Sequence, residues 1–156
     1  MKGLVAGIAL LVAWAWAGVA VRAECIALSV PNAKRTAVLV FEGTVTKVET
    51  LHHPESAATL NVHRVWKGDV PTEITVYYLS DPLDGPWLKE GERRIIFAQH
   101  QTPGMRKARG IAADSPMRDV WVPPCSGVWR PDDDLIKQLG RAREPKDTSR
   151  TETTIR

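Results

Sequence analysis

Cysteine is scarce in this chain: 156 residues contain two, Cys25 and Cys125. That excludes a disulfide-dense small scaffold, which uses several bridges in place of a core. A net charge of one sign is lacking as well. The formal balance is +3, but Lys2 and Arg22 sit in an N-terminal segment without acids, and beyond that segment the balance is +1. Residues 141–156 hold five basic against three acidic side chains, so residues 24–140 keep fourteen basic against fifteen acidic. A body with that balance gives no electrostatic grounds for a nucleic-acid partner. No internal repeat is present. Metal-ligand spacing is missing too: His52 and His53 fall in a loop, His63 points outward from a strand and His100 follows another. No spacing gathers three of them, so neither a metal nor another cofactor is expected. Ser126, in "CSG", lacks the glycine-flanked strand-turn-helix context of a hydrolase nucleophile, and no catalytic activity is expected.

What is present begins with an apolar N-terminus. Lys2 supplies a positive start, "GLVAGIALLVAWAWAGVAV" an uncharged run, and Val21-Arg22-Ala23 small residues at both recognition positions of a signal-peptidase site. Residues 1–23 therefore read as an export signal, with the mature chain starting at Glu24. The run from Gly3 to Val21 is 19 residues, nearly a bilayer span, so an uncleaved membrane anchor is the alternative. Either reading places the domain in the periplasm or outside the cell. In that setting an even cysteine count favours a Cys25–Cys125 disulfide. In the chain-entropy model, closing a loop of about 100 residues stabilises by roughly 4.7 kcal/mol. Lipidation of Cys25 is disfavoured by the charged Glu24 before it.

The body of the chain alternates with period two. In "AVLVFEGTVTKVE", residues 37–49, Leu39, Phe41, Gly43 and Val45 share a face, after which Val48 falls on the opposite parity. A glycine followed by a phase change predicts a bulge or sharp bend in a long first strand. The second strand puts Ala58, Leu60, Val62 and Trp66 inward and Thr59, Asn61 and His63 outward. The third puts Ile74, Val76 and Tyr78 on one side. "RRIIFA" is apolar on both parities, as in a strand covered on both faces, and a short "VWV" follows near the second cysteine.

Past Cys125, "RPDDDLIKQLG" predicts a short helix with acids in its first turn, Lys137 late and Gly140 beyond its end. The macrodipole accounts for the three aspartates without a metal. Residues 141–156 lack apolar periodicity and read as a disordered polar tail. Residues 100–117 read as a long loop in which Arg106, Lys107 and Arg109 offer contacts to an anionic glycan or lipid head. Trp66, Trp87, Trp121 and Trp129 read as core residues rather than a stacking groove.

"FEGTVTKVE", "LNVHRVWKGD", "ITVYY", "EGERRIIFA" and "CSGVWRPDDDLIKQLG" together resemble the netrin-like and tissue-inhibitor-of-metalloproteinases superfamily, in order and spacing, over residues 25–140. The resemblance implies an all-β fold, a five-stranded Greek-key OB-fold barrel with a short C-terminal helix, in a domain spanning 24–140. It further implies a non-catalytic binding module for an envelope or extracellular protein or glycan. The alternative it carries is inhibition of a zinc metalloprotease, in which the α-amino and carbonyl groups of an N-terminal Cys25 chelate the zinc. Cleavage before Glu24 would convert that amine into a peptide N–H.

Overall fold

The computed structural model describes residues 28–51, 54–80, 88–100, 104, 107, 120–125 and 127–147. Within them lie α1 (Val30–Thr36), β1 (Leu39–Thr50), β2 (Glu55–Lys67), β3 (Glu73–Leu79), β4 (Arg93–Ala98), β5 (Val128–Trp129) and α2 (Asp133–Leu139). The five strands form one antiparallel sheet in the order β3-β2-β1-β4-β5. The ladder itself is not closed. "VWV" is not its fifth strand, which is Val128–Trp129. Instead Trp121 makes isolated bridges, parallel to Tyr77 of β3 and antiparallel to Gln99 just past β4.

Strand β1 bends where its sequence changes phase. Register shifts fall between Val45 and Lys47, between Glu42 and Gly43, and between Val40 and Phe41. Gly43 permits the close approach of β2 at the bend, since a Cβ there would lie 2.8 Å from the Asn61 carbonyl oxygen. The inner face of the sheet packs Phe41, Val45, Leu60, Val62, Val76, Tyr78 and Ile96, with Val48 returned to that side by the bulge. The outer face of β1 and β4 packs Val40, Ile95 and Phe97 against Val30 and Ala33 of α1 and Leu135 and Leu139 of α2. Strand β4 is thus covered on both sides, as its double apolar parity requires.

Trp66 departs from the sequence expectation. Two residues of β2 oppose one of β1 at His63 and again at Trp66, so Val65 takes the inward position and Trp66 joins the outer cluster beneath the helices. A bulge moves the side chains that follow it to the other face. From there the Trp66 indole N–H donates to the Gly140 carbonyl at 2.9 Å. Its neighbour Lys67 donates to the Lys34 and Arg35 carbonyls at the end of α1, and Lys34 donates to the Leu139 carbonyl at the end of α2. Two ammonium groups therefore satisfy helix C-termini, where unpaired carbonyls concentrate negative partial charge.

Gly68 closes this "VWKG" run at φ +77°, and a Cβ there would run into Leu39 and the Val38 carbonyl. Gly68→Ala is expected to cost at least about 1–2 kcal/mol, the left-handed penalty alone, read as a lowered urea midpoint. A midpoint equal to that of the unsubstituted protein would show that the turn relaxes freely.

Helix α2 forms as its composition implies: Asp132 caps Leu135 N–H at 2.7 Å, Asp133 and Asp134 occupy the first turn and Gly140 ends it at φ 79°. The chain beyond it corrects the expectation of a disordered tail from residue 141. Arg143 exchanges backbone hydrogen bonds with Val65, and Lys146 lies between Val70 and Thr72. Strand β3 pairs only with the first half of β2, so residues 141–147 cover the edge left beyond it. Exposed Asp69 pairs with Lys146 at 2.8 Å and Arg143 at 3.4 Å; the Lys146 ammonium foremost, and Arg143 with it, hold its carboxyl below the usual range.

Candidate functional site

The polar residues with the most constrained surroundings lie on the outer face of β1 and β2, where the helix-covered region ends. Glu42 is 1% exposed although charged. Period two puts it on the outer side with Val40 and Thr44, opposite the inward Phe41 and Gly43. Arg93, from β4, places its Nε 2.5 Å from Glu42 Oε1. Arg64, directly across on β2, places its Nε 3.4 Å from Oε2, an ionic contact rather than a hydrogen bond. Oε2 itself is buried without a hydrogen-bond partner among the described residues. The two arginine side chains remain 43% and 49% exposed. One shielded carboxylate thus anchors two guanidinium groups whose outer ends face solvent.

The same face continues as a strip of polar groups. Thr44 Oγ1 lies 2.8 Å from His63 Nε2, and Thr59 Oγ1 lies 3.1 Å from Thr75 Oγ1. Thr46 donates to the Thr59 carbonyl. The helices leave these residues uncovered, because their apolar cluster stops at Val40 and Ile95.

The inner end of β3 carries a hydroxyl group of another kind. Burial pushes the Tyr78 phenol above its ordinary value, and hydrogen bonds with Ser80 and Ser56 partly oppose that shift. A phenol whose proton is held more tightly in the folded state stabilises fully below the unfolded value near 10, and that contribution disappears as pH rises through the folded value. Stability is therefore expected to fall above about pH 10, and less steeply in Tyr78→Phe, as measured by urea midpoints. Parallel slopes in the two proteins would contradict this.

Of the residues singled out in the sequence, Cys25, His52, His53, Trp87, Arg106, Arg109 and Ser126 lie outside the described residues. Lys107 is exposed and, like Gly104, has helical backbone. Cys125 is exposed at φ 70° and disulfide-bonded, with no free cysteine among the described residues. His63 is exposed on β2 and His100 exposed beyond β4, and no metal-ligand cluster occurs among the described residues. Trp121 is fully buried; Trp66 and Trp129 are half-buried, Trp129 tilted against Phe97 at 5.8 Å. Glu42, Arg64 and Arg93 were not marked by sequence reasoning. The available signal was a glutamate between Phe41 and Gly43 on a strand otherwise apolar there, facing arginines on two later strands.

Neither the protein-family models nor the curated proteins compared with this chain match it. Among the described residues, no helix is long and apolar enough to cross a membrane.

Proposed function

We propose that this chain is an exported, non-catalytic binding module of the netrin-like type, built on an OB-fold barrel and engaging a protein or glycan outside the cytoplasm. The observation that carries the reading is the rigid outer face of β1–β3, left open by the helices and set with ordered polar side chains. Recognition groups mounted on strands are held more tightly than groups on loops. The OB-type barrel draws support from connectivity: β1 lies between β2 and β4, and residues 120–122 hydrogen-bond to β3 on one side and to Gln99 on the other. A five-stranded, partly open Greek-key barrel has strands in these relations. A Cys25–Cys125 bridge would tie the start of the domain to the end of that closing segment.

Pull-downs and glycan arrays with the exported, folded protein test the reading, with a partner expected at micromolar concentration or below. Silence in both overturns it. N-terminal peptide mass analysis, with and without reduction, separates it from zinc-protease inhibition. A chain beginning at Glu24 with both cysteines protected until reduction is expected. A chain beginning at Cys25 that inhibits zinc proteases would replace the proposal.

A further inference from the structure

The Glu42–Arg64–Arg93 cluster is an expensive way to complete a sheet face. Replacing a buried ion pair by apolar residues is often neutral or stabilising, because taking charges out of water costs about what their attraction returns. Val40 and Ile95 show that apolar residues fill the neighbouring positions on this face. The carboxylate does something a leucine would not: it takes the Nε of two arginines on different strands and holds two like charges side by side. Glu42 meets each guanidinium at its Nε, and both arginine side chains stay partly exposed, 43% and 49%. Planar forks oriented in this way match the two oxygens of a carboxylate. With one negative and two positive charges, the cluster keeps a net charge of +1 at the surface.

We propose that Arg64 and Arg93, preset by Glu42, bind the carboxylate of an acidic saccharide, whose hydroxyls lie along Thr44, His63, Thr59 and Thr75. This rests on the binding-module reading and names its ligand class. Charge complementarity selects the carboxylate, and the position within the sheet selects the sugar. Around Glu42, from Val40 to Thr44, β1 is paired on both edges, and β2 is flanked by β1 and by β3 or residues 141–147, so the backbone here is occupied. An extended peptide gains affinity largely by adding a strand to an open edge. This face instead presents hydroxyl, imidazole and guanidinium groups, which suit a polyhydroxylated ring carrying an acid.

The test titrates oligogalacturonate and sialyllactose, each beside its methyl ester, into the full exported protein while following the arginine Nε–H and backbone amide NMR signals. Binding of an acid but not its ester is expected, with shifts centred on Arg64 and Arg93. Arg64→Gln should weaken it by about tenfold or more, and Arg93→Lys, which keeps a cation for Glu42 but loses the fork, should weaken it similarly. Backbone spectra verify that each variant is folded. Equal binding of acid and ester overturns the carboxylate site while leaving a glycan-binding module. Tighter binding of an oligoglutamate peptide overturns the saccharide assignment. No binding of either acid at millimolar concentration overturns the inference, and the array and pull-down experiments then decide the broader reading independently.

Discussion

Trp121→Ala is expected to lower the stability of the folded protein by about 3–5 kcal/mol, the range for truncating a fully buried large aromatic. Trp121 is 0% exposed and packs with Tyr77 and Leu79. Its backbone links β3 to the residue just past β4: Trp121 N–H donates to the Gln99 carbonyl at 3.0 Å, Gln99 N–H donates back at 2.8 Å, and Val122 N–H donates to Tyr77 at 2.7 Å. A cavity there loosens a contact between residues distant in sequence, with no ladder alongside to hold register. Trp121→Phe should lose less, because it leaves a smaller cavity. Trp129→Ala should also lose less, because Trp129 is only half-buried. Urea unfolding at constant slope measures all three. A loss below about 1 kcal/mol for Trp121→Ala, within reach of an ordinary surface change, would show that the segment does not hold β3 and the end of β4 together.

The second large effect is expected from Arg93→Ala. Removing one partner of a buried ion pair costs about 3–5 kcal/mol, because the remaining charge stays buried without compensation. The lower end applies here, since the Arg93 side chain is 49% exposed and Glu42 retains Arg64 at 3.4 Å. Arg64→Ala should cost less, its contact being longer and not a hydrogen bond. Glu42→Leu should be milder than Arg93→Ala, because both arginines can then turn into water. A double-mutant cycle over Glu42 and Arg93 gives their coupling directly. Equal losses for the two arginine substitutions, or no coupling, would remove the asymmetric clamp from the description.

Much of the sheet was legible because it depends on short-range pattern. Alternation places Ala58, Leu60 and Val62 inward, and Ile74, Val76 and Tyr78 likewise, without knowledge of any partner strand. Gly43 followed by a phase change announces the bend in β1, and Asp132 with Gly140 announces both ends of α2. Helix α1 was not foreseen from the sequence. Its seven residues, VPNAKRT, bury only Val30 and Ala33, too few positions to establish a helical period. Lys67 of β2, 32 and 33 residues further on, satisfies its terminal carbonyls.

By itself, then, the sequence determined which residues alternate, where the chain turns, and where α2 begins and ends. These follow from local steric and capping preferences, acting over a few residues. Tertiary structure alone decided three other matters. Register made His63 and Trp66 bulge positions and so sent Trp66 to the helix side rather than the inner core. The unpaired half of β2 recruited residues 141–147 through backbone hydrogen bonds, to which polar composition is blind. The meeting of β1, β2 and β4 buried Glu42 between two arginines, 22 and 51 residues away in the chain. The physical reason is common to all three: burial and pairing depend on which strand lies alongside, and no local propensity encodes that neighbour.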